Sequence, residues 1–179
     1  MTIYDDVGEI EKIAVNLFYG WGYNFYRLEN QLRADDLMVR AKVGWLLGQA
    51  REAASSAESQ WRRDNLPAPT REKPRPDPAA VEGAQKLERI GREIGALEAQ
   101  IRAEPAPEAD HMTNRYRLEA QTLDKLLQCD IGLAGRAELL RASIADADAA
   151  ALLAKADEIA TGLKSIARAL RERQAILRV

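Results

Sequence analysis

Five of the seven prolines in this 179-residue chain lie between Leu66 and Pro78, and on both sides of them apolar residues return every three or four positions. Each proline removes a backbone donor and pushes its predecessor out of the helical region, so this segment is neither helix nor central strand. The three-and-four spacing on either side is the period of a buried helix face; a half-buried strand requires a period of two. The chain is therefore predicted to be all-α, with residues 65–78 forming a semi-extended, proline-rich linker.

Before the linker, a single stripe keeps phase through Ala14, Phe18, Trp21, Phe25, Leu28 and Leu32, then through Val39, Val43, Leu46, Ala50, Ala54, Ala57 and Trp61. A break in a helix normally resets that phase, so residues 1–64 read as one long helix. Gly20 and Gly22, each costing roughly 1 kcal/mol against Ala, and the charged pair Asp35 and Asp36 mark the places where it could kink.

After the linker, Ala80, Leu87, Ile90, Ile94, Leu97 and Ile101 form a heptad stripe with charged residues between them, the clearest coiled-coil signal in the chain. Pro105 and Pro107 interrupt this second leg, which resumes through Met112, Tyr116, Ala120, Leu123 and Leu127. A stop is expected at Gly132–Gly135, where Leu133 follows a candidate glycine cap. A third leg then runs from about Ala134 to Arg178 with Leu152, Ala156, Ile159, Leu163, Ile166, Leu170 and Leu177 in phase.

At 1.5 Å per residue the three legs span about 85, 75 and 65 Å, lengths similar enough to lie alongside one another. The predicted fold is an elongated up-down-up helical bundle with coiled-coil-like packing, its middle leg broken at Pro105 and Pro107. Residues 79–179 would form a helical hairpin that packs back on 1–64 to complete one domain. A compact four- or five-helix bundle is the alternative, and it requires a real break near Gly20 or Asp35.

Six of the ten aromatic residues, Phe18, Tyr19, Trp21, Tyr23, Phe25 and Tyr26, fall within nine positions. On a helical projection Phe18, Trp21 and Phe25 join the core stripe, whereas Tyr19, Tyr23 and Tyr26 lie roughly 165° away, where an amphipathic helix ordinarily carries charge. The tyrosine side continues into Leu37, Ala41, Gly44 and Gly48, so a bulky half passes into a smooth half of small residues. Small residues permit close helix approach, and tyrosines supply contact area with a polar end that tolerates water. Tyr19, Tyr23, Tyr26, Leu37, Ala41, Gly44 and Gly48 are thus the candidate partner-binding residues, because three rods leave a face opposite the core uncovered.

Little else in the chain suggests chemistry. His111, the single histidine, follows Glu108 with the Glu-x-x-His spacing of di-iron bundles, but those sites need the unit twice. Cys129, the single cysteine, has no histidine near it in sequence and has acidic Asp130 beside it, which raises a thiol pKa. No glycine-rich phosphate loop, nucleophile elbow or zinc motif occurs. No catalytic residue, metal or cofactor is therefore expected.

With 26 basic and 28 acidic side chains the formal charge is −2, which gives no global field for nucleic acid or anionic lipid. Two local basic stretches remain: Arg62, Arg63, Arg71, Lys73 and Arg75, and Lys164, Arg168, Arg171, Arg173 and Arg178. The lone cysteine and an acidic start without a signal-peptide pattern predict a cytoplasmic protein without a transmembrane segment. The expected function is that of a non-enzymatic scaffold, adaptor or accessory subunit acting through a protein partner or as a homo-oligomer. Peripheral binding of nucleic acid or a lipid or granule surface through the basic C-terminal helix is the competing expectation.

Overall fold

Every element of the computed structural model is helical, and it describes residues 3–19, 32–71, 73–104 and 120–178. A 3-10 turn, Ile3–Asp5, leads into α1 (Val7–Tyr19). Then follow α2 (Leu32–Asn65), α3 (Pro78–Ala103), α4 (Ala120–Ala145), the short α5 (Ala149–Ala154) and α6 (Ala156–Arg178). Starts are set by local chemistry. Asp77 accepts the backbone N–H of Ala79 at 3.1 Å with Pro78 in the first helical position, and Asp148 accepts the N–H of Ala151 at 2.8 Å. Caps of this kind contribute about 1 kcal/mol each.

The protein is an all-α helical bundle. α2 packs on α3 and α4, and α6 packs on α4 and α3, which closes a ring of four helices. This is the compact arrangement carried as the alternative, with α1 added along the outside of α4. The apolar stripes turn inward as their spacing demands. Val39, Val43, Leu46, Ala50 and Ala54 of α2, Leu87, Ile94 and Ile101 of α3, and Ile159, Ile166 and Leu170 of α6 join one core cluster with Leu133, Leu140 and Ile144 of α4.

Residues 66–77, within the predicted linker 65–78, join α2 and α3 into an antiparallel hairpin. Its turn is tied by Thr70 N–H to the Lys73 carbonyl and by Lys73 N–H to the Thr70 hydroxyl, each at 3.1 Å. Trp61 near the end of α2 donates its indole N–H to the Ala80 carbonyl at 2.9 Å, pinning the start of α3.

Three expectations are corrected. First, residues 1–64 do not lie on one helical axis. Ile10 of α1 presses on Gly135 of α4, while Lys42 of α2 lies close enough to Glu138 and Arg141 of α4 to feel both charges. A single helix would separate residues 10 and 42 by about 48 Å, so α1 and α2 instead meet neighbouring turns of α4. Asp35 and Asp36 do not interrupt α2, which is continuous from Leu32; Gly20 and Gly22 lie outside the described residues. Second, α4 runs straight through Gly132 and Gly135. Gly135 is buried, and a Cβ there would collide with the Ile10 backbone, so this glycine admits α1 rather than ending a helix. Third, the last leg breaks at Asp146–Asp148, where Asp148 caps α5. Pro105 and Pro107 lie outside the described residues.

Candidate functional site

The sequence offered Leu37, Ala41, Gly44 and Gly48 as one surface, and at 100° per residue the two glycines flank Leu37 within about 20°; the fold sets α3 against the glycines and leaves Leu37 and Ala41 exposed. Gly44 is buried, and a Cβ on it would stand 3.4 Å from Nε of Arg102 on α3. Gly48 is half-buried beneath Glu98, 3.4 Å from its Oε1 by the same measure. The close approach that small residues allow is thus made by the chain's own third helix. Glu98 is buried over this seam and accepts from Arg51 Nε at 3.0 Å and from Arg102 Nη2 at 2.8 Å, so one carboxylate clamps a cation from each helix. Arg40, also buried, donates to the Glu104 backbone carbonyl just past the C-terminus of α3, where free carbonyls attract cations.

Leu37 and Ala41, by contrast, are exposed. They share their side of α2 with two residues that the periodicity passed over, Met38 and Trp45. Leu37 is 46% exposed, Met38 36% and Trp45 48%. At 100° per residue these four positions occupy a sector about 100° wide, as broad as an ordinary buried stripe but turned away from the core. The sector ends at exposed Gln49 and Glu52.

Trp45 is held in place from beneath. The Nζ of Lys42 lies 4.3 Å from the Trp45 ring centroid, a cation over an aromatic face. Lys42 itself is buried, and burial pulls its ammonium below the ordinary lysine range; Glu138 opposes the shift and Arg141 adds to it. Glu138 and Arg141 pair with each other through contacts of 2.6 and 2.7 Å. The indole thus meets a buried lysine while about half of the residue is exposed. A second, smaller set of exposed apolar side chains, Ile3, Val7 and Val15, lies on the N-terminal turn and α1.

Tyr23, Tyr26, Glu108 and His111 lie outside the described residues, as does the side chain of Tyr19. Of the seven candidate contact residues, the structure thus brings Leu37 and Ala41 into the open and turns Gly44 and Gly48 toward α3. The signal for Trp45 was available: a tryptophan out of phase with Val39, Val43 and Leu46 on its own helix.

Among the described residues, reactive groups give no competing site. Among the described residues no cluster of His, Cys, Asp and Glu is arranged to hold a metal. The half-buried Cys129 thiol is pushed up by burial, then by Glu172 and Asp130, against the opposite pull of Arg173 and Arg136. Several cations of the basic stretches are engaged inside the chain. Arg173 is buried on Asp130 at 2.6 Å, Arg168 lies 3.6 Å from Asp5 and 3.9 Å from Glu172, and Arg62 bonds Glu58 at 2.5 Å and Glu88 at 3.1 Å. No described helix is long and apolar enough to cross a membrane.

No family model, curated protein or solved structure matches the chain. What it does must be read from its own surfaces.

Proposed function

We propose that this protein is a non-enzymatic helical scaffold, adaptor or accessory subunit, and that it works by protein-protein contact through the outer face of α2. The observation that carries this reading is Trp45, half exposed on an ordered Lys42 support beside Leu37, Met38 and Ala41. A large side chain fixed in place before binding loses little freedom on association, and tryptophan is enriched among residues that dominate interface energy. Glycines 44 and 48 contribute by seating α3, which keeps α2 rigid behind the contact.

The competing reading, binding of phosphates through the C-terminal helix, is weakened because Arg168 and Arg173 already face carboxylates. Salt separates the two. Charge-driven binding to nucleic acid or lipid falls steeply with ionic strength, whereas burial of an apolar face survives it.

The test is capture of partners by the wild-type chain and by Trp45→Glu at low and high salt, with sedimentation equilibrium to detect self-association. Association that persists at high salt and is lost in Trp45→Glu, with circular dichroism unchanged, supports the reading. Association that Trp45→Glu leaves intact contradicts it.

A further inference from the structure

We propose that the turn joining α2 to α3 is a second docking site, which receives an acidic segment of a partner protein on Arg71, Lys73 and Arg75. The inference starts from a contrast in how the chain handles its cations. On the two flanking helices Arg62 pairs with Glu58 at 2.5 Å and Lys86 with Glu82 at 2.8 Å, each one turn away. In the turn itself Arg71, Lys73 and Arg75 are exposed, and none of these side chains forms a hydrogen bond or ion pair with another described residue.

Local chemistry explains the difference. Pro74 and Pro76 directly follow Lys73 and Arg75, and a residue before a proline is held out of the helical region. The pairing across one helical turn that neutralises Arg62 and Lys86 is therefore denied to both. The neighbouring acids are taken up elsewhere. Glu58 and Glu88 face Arg62, Asp64 accepts from the Gln60 amide at 2.8 and 2.9 Å, and Asp77 is turned onto the Ala79 N–H as the cap of α3. Glu72, the other acid of the connection, lies outside the described residues.

The turn is also shaped before anything binds. Thr70 and Lys73 tie it with two hydrogen bonds, Trp61 pins its far end to Ala80, and four prolines lie within residues 66–77. Cations carried on an ordered backbone lose less freedom on association, and arginine can meet a carboxylate through two parallel bonds. An acidic polypeptide suits this site better than nucleic acid. Residues 66–77 contain no aromatic side chain on which a base could stack, and the Trp61 indole is turned onto Gly83 and Ala80. No described residue of the turn is in a helix or strand that could enter a groove. The turn begins about 30 Å along α2 from Trp45, so this site does not rest on the contact proposed there.

The test is binding of a fluorescein-labelled decaglutamate peptide to the full chain, followed by anisotropy at about 50 mM salt and again at about 200 mM. The wild-type chain should bind, more weakly at the higher salt. The triple variant Arg71→Glu, Lys73→Glu, Arg75→Glu should lose about tenfold or more in affinity with circular dichroism unchanged, and the matching triple change to Gln should fall between. Lys164→Glu with Arg171→Glu, which removes two exposed cations of α6, should change affinity by less than about threefold, as should Trp45→Glu. Failure of the wild-type chain to bind the peptide would overturn the proposal. So would a triple variant that binds as well as wild type, or an equal loss in the α6 variant, because attraction would then be spread over the whole surface. Tighter binding of an oligonucleotide of equal charge, or of phosphatidylserine vesicles, would identify a phosphate ligand and contradict the acidic partner. If the Glu variant does not fold, the Gln variant decides alone: affinity equal to wild type removes the site.

Discussion

Two sets of residues on α2 look equally suited to binding, and the fold uses them differently. One set, Gly44 and Gly48, is smooth, and α3 lies against it with Glu98 and Arg102 over the seam. The other, Leu37, Met38, Ala41 and Trp45, is bulky and faces solvent. Proximity along the chain explains the difference. α3 is tethered to α2 through residues 66–77, and a tether that short holds its effective concentration near the millimolar range, above what a separate partner ordinarily reaches. A surface that any helix could approach is therefore taken first by the nearest helix. What remains for a partner is the set that stays exposed among the described residues.

That contrast can be broken or sharpened at several points. The largest expected effect lies in the core that fixes the hairpin: Ile94 is fully buried, and Ile94→Ala should cost about 2–5 kcal/mol in chemical denaturation. A loss below about half a kcal/mol would place the α3 stripe in solvent and remove the reason that α2 has an inner side.

Next comes the seam itself. A Cβ on Gly83 would stand 2.7 Å from the Trp61 ring, which is also held by its bond to Ala80. Gly83→Leu should therefore cost about 1–3 kcal/mol even though leucine is the better helix former. Unchanged thermal stability in that variant would mean that the hairpin is looser than its contacts indicate.

A smaller effect is expected from Glu98→Gln, about 1 kcal/mol, because the Arg51 and Arg102 side chains that it clamps are half or more exposed and can return to water. High salt should shrink this difference. The smallest stability change belongs to the outer face, where Trp45→Ala should cost no more than about 1 kcal/mol, chiefly from the contact with Lys42. Its effect should fall on association instead, weakening binding by about 1–3 kcal/mol if Trp45 anchors the contact.

How much of this was legible in the sequence depended on whether a residue's role is set locally or by a neighbour. The α3 stripe was legible because heptad spacing alone fixes which side is buried, and Leu87, Ile90, Ile94, Leu97 and Ile101 are all buried. The proline-rich connection was legible for the same reason. Phase continuity misled across residues 1–64, because α1 and α2 pack on adjacent turns of the same helix and so keep their apolar sides in register without being collinear.

Gly135 misled in the other direction. Its role as the seat of Ile10 depends on a residue 125 positions earlier, and in isolation Gly132–Gly135 resembles a helix end. The true break at Asp146–Asp148 carries neither proline nor glycine, only an aspartate cap. Gly44 and Gly48 were read as points where a partner approaches closely, and the helix that stands beside them is α3; nothing local specifies which helix approaches.

The proposed division of labour on α2 is that Gly44 and Gly48 seat α3 while Leu37, Met38, Ala41 and Trp45 meet the partner. It is tested most directly by measuring association and melting temperature together for Gly44→Leu and Trp45→Glu. The account predicts that Trp45→Glu abolishes association while its melting temperature falls by no more than about 4 °C, the shift expected for about 1 kcal/mol in a domain this size. Gly44→Leu, whose added bulk meets the Arg102 side chain of α3, should still associate. If Gly44→Leu abolishes association at unchanged stability while Trp45→Glu still binds, the two sets of residues have been assigned the wrong way round.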